Sequence, residues 1–488
     1  VAVFTLWDRD KNQLALLDPV RGLTIRYGEL SERIDALAAD LIRAGVSPGN
    51  RVMVSSWTGV EGALGFLAIL RSGATALPVN PQLTAAELIR HLPQLRPAYA
   101  LVHQASGPAD ACAALGVPIA GIDAAQPWHP EGPGAAFPEL APDAVALILQ
   151  TSGTTGLPKG VPLTQANLAA STATIIDTYR LDPSDTAYCI MPLFHVHGLI
   201  GVTLASLAAG GTVVMPARLR MRTFWEAVAE HDVSWTSAVP TLLASIPAGP
   251  QSSHRLRFLR SASSPLPPTL TARLESDLGV PVLEAYGMTE ATHQMASNPL
   301  PPAERRPGSV GVATSIELAV VDQAWLAVGH DEPGEVVVRG PSITSGYLDN
   351  PEANATAFRD GWFRTGDIGR LSADGYLRLV GRVKEMINRA GEKISPREVD
   401  EVLLTHPAVA EVATYGVPDA KYGEVVHAAV VLSAAVEPKA LMAHCGAQLA
   451  AFKVPVTIHV VDAIPQGPTG KVQRNQLAQV LDSKPDST

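Results

Sequence analysis

The spacing of apolar residues changes repeatedly along the first hundred positions. Residues 30–43 place apolar side chains three and four apart, the pattern of a helix with one buried face. Residues 51–55 form a short apolar run that predicts a buried strand, and 60–71 predict a second helix. Alternation of this kind predicts α/β layers around a mostly parallel sheet. Residues 104–142, rich in Ala, Gly and Pro, predict a stretch that wanders over the surface. An apolar run at 144–150 then leads into a Gly/Thr/Ser loop, with a helix expected over 163–179. Further strands are expected at 213–215, 233–237, 256–260 and 281–284.

After about residue 310 the texture becomes β-rich. Strands are expected at 316–321, 334–339 and 376–380, with a hairpin-type turn at Ala373-Asp374-Gly375. The last hundred residues read as a compact α/β unit, a helix over 396–405 preceding strands at 409–417 and 427–432. The expected architecture is a large N-terminal domain, residues 1–380, of layered α/β sheets with a β-rich subdomain. A boundary at 381–384 and a small C-terminal α/β domain, 385–488, follow.

Composition agrees with this and narrows the chemistry. The 488 residues exceed what one core holds, roughly 250–300 residues. Hydrophobic residues make up 47% and charged residues 17%, a globular balance. The net charge of −10 argues against a nucleic-acid or anionic-membrane surface. In so negative a chain, isolated Lys and Arg in Gly-rich segments become candidates for binding phosphate. The three cysteines, Cys112, Cys189 and Cys445, are too far apart to suggest a metal motif or a disulfide framework. No apolar run reaches the roughly 18 residues that span a bilayer. A reducing, cytoplasmic setting is expected, and nothing in the pattern sets an oligomeric state.

The segment Thr151-Ser152-Gly153-Thr154-Thr155-Gly156-Leu157-Pro158-Lys159-Gly160 carries the clearest chemistry. Its hydroxyls and backbone N–H groups form a cradle of donors, the glycines let the chain turn, and Lys159 adds a point charge. A triphosphate requires those features. The spacing is not that of a Walker loop. Four further segments follow in order: Tyr286-Gly287-Met288-Thr289-Glu290, Gly361 to Asp367 (GWFRTGD), Gly381-Arg382-Val383-Lys384 with Gly391 to Pro396 (GEKISP), and Pro468-Thr469-Gly470-Lys471.

Together these five segments resemble the ANL superfamily of adenylate-forming enzymes, which includes acyl-CoA synthetases, luciferases of the firefly type and peptide-synthetase adenylation domains. The resemblance covers the chain from about Tyr27 to its end. It implies that Tyr286 and Gly287 lie at adenine, that Thr289 bonds phosphate and that Glu290 holds Mg2+. It further implies that Asp367, expected in a turn, accepts the ribose hydroxyls, with Arg382 beside the ribose or phosphates. Lys384 matches the hinge about which the C-terminal domain moves. Lys471 matches the lysine that reaches the α-phosphate and the attacking carboxylate. Gly391 matches a glycine lining a thiol channel after the domain rotates. The implied activity is ATP- and Mg2+-dependent adenylation of a carboxylic acid, followed by transfer to coenzyme A.

The acid is expected to be read between residues 192 and 197, around 260–266, and just after Glu290. Those segments offer His195, His197, Ser261, Ser263, Ser264, Thr292 and His293 in place of an apolar tunnel. Histidines and hydroxyls can bind a second carboxylate through charge-assisted hydrogen bonds. Residues 283–301, 191–198 and 391–399 resemble the oxalate–CoA ligase branch of the superfamily. The favoured acid is therefore oxalate, with His195, Ser263 and His293 as its ligands. Two alternatives are a different acceptor, such as an amine or a carrier-protein thiol, and a non-catalytic nucleotide-binding module. A helix-capping role for Thr289 and a helix-surface position for His293 are the plainer readings of those residues.

Overall fold

Parallel strand pairing dominates the N-terminal part of the computed structural model, which describes residues 9–56, 59–103, 106–122, 136–151, 158–216, 221–249, 253–465 and 472–481. The chain divides into two compact units, Val1–Glu317 with Val338–Phe363, and Leu318–Val337 with Arg364–Thr488.

Among the described residues, two sheets lie wholly within the first unit. In the six-stranded sheet the order is Ile119–Gly121, Tyr99–Val102, Arg51–Ser55, Thr75–Pro78, Val145–Thr151 and Lys159–Thr164. All its pairs are parallel except the last, an antiparallel hairpin. In the nine-stranded sheet the order is Val312–Ala313, His293–Ser297, Val282–Met288, Phe258–Ser261, Trp235–Ala238, Thr186–Tyr188, Thr212–Val214, Leu14–Asp18 and Leu23–Arg26. From Val282–Met288 to Leu14–Asp18 every neighbouring pair is parallel. The helix Tyr27–Arg43 buries Leu30, Ile34, Leu37 and Leu41, the face that its apolar spacing predicts. One core joins both sheets, drawing in Leu30, Leu67, Leu149, Leu168, Val213 and Trp235.

In the second unit, Gly423–Leu432 pairs antiparallel with Val409–Asp419 and parallel with Thr457–Val460. The helix Pro396–Leu403 starts on Ser395, whose hydroxyl accepts from the Glu398 amide at 3.4 Å. Buried Asp400 of this helix pairs with Arg474, on the helix Arg474–Leu481.

Three local expectations are corrected. The segment after the Gly/Thr/Ser loop is first a strand, Lys159–Thr164, and only then the helix Gln165–Tyr179. Gly160 and Pro162 hide this strand from a propensity reading. Pro162 is tolerated because the strand is the last in its sheet, and Val161 and Leu163 are buried on it. The stretch 104–142 is not merely a surface excursion, since it holds the helix Gly107–Leu115 and the strand Ile119–Gly121. That helix starts on Ser106, ends at left-handed Gly116 and buries Ala109, Ala111 and Cys112. Asp367 sits in the strand Trp362–Leu371, opposite Arg382, rather than in a turn.

Candidate active site

Parallel strands send their carboxyl ends to one edge, where open α/β sheets hold their ligands. At this edge of the nine-stranded sheet, Trp235–Ala238 presents Ser237, and Phe258–Ser261 leads into Ser263. Val282–Met288 runs through Tyr286 and Gly287 into the single turn Thr289–Ala291. Thr186–Tyr188 continues toward His195 and then the π-helical segment His197–Leu204. Residues far apart in the chain therefore converge.

His197 lies at the centre of this cluster, 2% exposed. Its Nδ1 is 3.1 Å from Ser263 Oγ, and its Nε2 is 2.6 Å from Ser237 Oγ. The His293 ring, also 2% exposed, stacks on it at 5.1 Å between centroids and 27° between planes. Ser263 and His293 both adopt positive φ, 75° and 115°, costly backbone states for residues with a Cβ. His195 is half-buried, its ring tilted against Phe194 at 4.6 Å. His293 occupies a strand, His293–Ser297, and not a helix surface.

The strand pairing explains Gly287. A Cβ there would lie 1.7 Å from the His293 carbonyl oxygen, so only glycine permits the close approach at this bulge. The following turn is held tightly. The Thr292 amide donates to Thr289 O at 3.0 Å, and the Thr292 hydroxyl donates to Ser342 O at 2.6 Å. The residue at the N-cap of this turn is Met288, so helix capping does not account for half-buried Thr289. Tyr286 is buried. Glu290 is 5% exposed, and its Oε1 accepts from the Tyr347 hydroxyl at 2.9 Å.

On the six-stranded sheet, Thr151 and Lys159 face each other across the hairpin. Lys159 Nζ lies 4.4 Å from the centroid of the Tyr347 ring. Ser152, Gly153, Thr154, Thr155 and Gly156, between them in the sequence, lie outside the described residues.

In the second unit, Asp367 Oδ1 accepts from Arg382 Nε at 2.7 Å. The carboxylate is buried, whereas the guanidinium is half exposed. Lys384 is exposed in a short turn, Val383–Glu385. Ala390 and Gly391 take φ of 52° and 94° between the paired strands Ile387–Arg389 and Glu392–Ile394, a two-residue hairpin turn. A Cβ on Gly391 would meet nothing within 4 Å, so the backbone turn, not crowding, favours glycine there. Lys471 lies outside the described residues.

Sequence reading overlooked Ser237, Arg260, Gln294 and Tyr347 as individuals. A signal existed for Arg260, a cation directly after the apolar pair Phe258-Leu259 in a short strand. Nothing local distinguishes the others.

A parallel-sheet edge lined with hydroxyls and histidines, with the buried Glu290 carboxylate and the Lys159 strand in the same unit, is a nucleotide-handling arrangement of the α/β class. The chain belongs to the AMP-binding enzyme family. The family model matches residues 5–348, and that of the AMP-binding enzyme C-terminal domain matches 398–471. An oxalate–CoA ligase of Arabidopsis thaliana is 43% identical, covering 94% of each chain. A sulfoacetate–CoA ligase of Cupriavidus necator is 38% identical, covering 95% of this chain and 94% of that protein. The crystal structure of ATP-bound MatB from Rhodopseudomonas palustris superposes with a TM-score of 0.89 at 30% identity, covering 98% of both chains.

Proposed function

We propose that this protein is an AMP-forming acid–CoA ligase whose acid is oxalate. A carboxylate oxygen of the acid bonds to the α-phosphorus of ATP, the bond to pyrophosphate breaks, and an acyl-adenylate results. The thiolate of coenzyme A then attacks the acyl carbon, and AMP leaves. The observation that carries the choice of acid is the compact polar cluster His197–Ser263–His293 at the sheet edge. It supplies hydrogen-bonding groups where a fatty acid would need an apolar tunnel. The 43% identical oxalate–CoA ligase supports the same choice.

Two anions must meet in the first step, so cationic and N–H groups dominate the catalysis. Lys159 and the Gly/Thr/Ser segment that precedes it in the sequence hold the phosphates. Lys471 reaches the α-phosphate and the attacking carboxylate. Asp367 and Arg382 position the ribose, which requires their mutual ion pair to open or share its oxygens. Tyr286 and Gly287 face the adenine, and Thr289 bonds phosphate. His195, with Ser263 and His293, is a ligand of the acid.

Glu290 suits Mg2+, because a buried carboxylate is a hard oxygen donor. Among the described residues there is no group of three or more His, Cys, Asp or Glu able to hold a metal. Phosphate oxygens and water would therefore complete the shell. Bound there, Mg2+ offsets negative charge on the phosphates.

For the second step, residues 385–488 rotate about Lys384 as a mobile domain against 1–380. The rotation withdraws Lys471 and brings Gly391 to the thiol path. Among the described residues, no helix is long and apolar enough to cross a membrane. A cytoplasmic location fits the reduced state of the three buried cysteines.

The test is a panel of acids: oxalate, sulfoacetate, malonate, acetate, benzoate and octanoate. Each is incubated with ATP, Mg2+ and coenzyme A, and AMP and thioester are measured by mass spectrometry. Oxalate is expected to give both products at the highest kcat/KM. Preference for another acid overturns the oxalate assignment, and AMP without thioester overturns coenzyme A as acceptor.

A further inference from the structure

Arg260 is fully buried, yet each of its hydrogen-bond partners among the described residues is neutral. Its Nε donates to the Tyr179 hydroxyl at 2.8 Å, one terminal nitrogen to Ser237 Oγ at 3.0 Å and the other to Gln294 Oε1 at 3.1 Å. No carboxylate among the described residues pairs with it. A buried guanidinium without a counter-ion is costly, so its position calls for an explanation beyond packing.

Ser237 links this cation to the acid cluster. Arginine donates only, so Ser237 Oγ accepts from Arg260 and keeps one proton to give. Its near neighbour is His197 Nε2, at 2.6 Å. Were Nε2 the protonated nitrogen, it would donate to Ser237 Oγ, and the Ser237 proton would have no acceptor among the described residues; were both ring nitrogens protonated, an imidazolium would in addition face a guanidinium across one hydroxyl. With Ser237 donating to Nε2, the ring hydrogen lies on Nδ1, which donates to Ser263 Oγ at 3.1 Å. Ser263 then accepts from His197, and its own hydrogen is released toward the sheet edge. The stacked His293 ring holds the His197 plane.

We infer that Arg260 and Ser237 are positioning residues that lock His197 as the neutral Nδ1–H tautomer. Ser263 is thereby fixed as a hydrogen-bond donor to the second carboxylate of the acid. The hydrogen bonds Arg260→Ser237→His197→Ser263 run one way, with the cation at the inner end and an anion required at the outer end. This explains how neutral side chains select a dianionic acid, and it rests on the proposed acid–CoA ligase reading. It also accounts for the positive φ of Ser263, which aims that hydroxyl.

The test has two arms. In ligand-free protein labelled with 15N-histidine, the His197 resonances are assigned by their loss in His197→Gln. Nδ1 is expected to be protonated and Nε2 bare, with that preference lost in Ser237→Ala. A wild-type His197 protonated at Nε2 overturns the inference. In the kinetic arm, Ser237→Ala and Arg260→Met should raise the KM for oxalate by about tenfold or more, the scale of a lost hydrogen bond to a charged group, with the KM for ATP little changed. Arg260→Lys, which keeps the charge and a donor to Ser237, should recover much of the loss and serves if Arg260→Met does not fold. An unchanged KM for oxalate in Ser237→Ala overturns the inference. The tautomer is independent of which acid is used, so failure of the oxalate assignment and failure of the relay are distinguishable.

Discussion

The phenolic hydroxyl of Tyr347 donates to Glu290 Oε1 at 2.9 Å. The same ring lies under the Lys159 ammonium, whose Nζ is 4.4 Å from its centroid. One aromatic side chain thus orients both the carboxylate proposed for Mg2+ and the lysine proposed for the phosphates. Tyr347→Phe keeps the ring and loses the hydroxyl, a bond to a charged group worth about 1.5–3 kcal/mol. The Mg2+ concentration for half-maximal adenylation should rise several-fold in this variant. Tyr347→Leu, which also removes the ring beneath Lys159, should raise the KM for ATP in addition. Steady-state titrations of Mg2+ and ATP check both.

Lys471→Ala should separate the two half-reactions. Adenylation, followed as acid-dependent pyrophosphate release, is expected to fall by orders of magnitude. Thioester formation from supplied acyl-adenylate should survive, because the proposed rotation withdraws Lys471 for that step. Equal loss of both steps would contradict domain alternation.

Gly201 sets the position of the His293 ring. A Cβ at Gly201 would fall 2.4 Å from His293 Cδ2 and 2.5 Å from its Nε2. Gly201→Ala should therefore push the imidazole off its stack with His197. The overpacking should cost about 1–3 kcal/mol of stability, read as a lower midpoint in urea. The KM for oxalate should rise as it does in His293→Ala, and an unchanged value in both variants would remove His293 from the acid ligands.

The three cysteines should resist alkylation in the native protein. Burial raises the thiols of Cys112, Cys189 and Cys445 to about 11. At pH 8 roughly one thiol in a thousand is then ionised, and the thiolate is the reactive form. Iodoacetamide should label none of the three rapidly until denaturant is added, a result read by intact mass.

Local pattern settled much of the fold. The strand Arg51–Ser55 and the helix Val60–Arg71 occur where the apolar spacing puts them, because for such segments the periodicity and the backbone hydrogen bonds are read over the same few residues. It failed at Lys159–Thr164, where Gly160 and Pro162 weaken the local signal and pairing with Val145–Thr151 supplies what the segment lacks. It also misplaced Asp367, since Gly366 reads as a turn residue although its positive φ is absorbed within a strand.

For the site, the sequence by itself determined the chemistry of each contiguous segment: the hydroxyl- and Gly-rich loop with Lys159, the run from Tyr286 to Glu290, and the pairing of His195 with His197 around one valine. These are short-range facts, carried by neighbouring side chains. Only the tertiary structure decided that His197 meets Ser263 across 66 residues, and that Ser237 lies between His197 and Arg260. Those meetings depend on strand order and register in a parallel sheet, in which neighbours are joined by long crossovers whose local sequence does not encode them. The burial of Arg260 is of the same kind. Its charge argues for the surface, and Tyr179, Ser237 and Gln294, brought together from three separate elements, hold it inside.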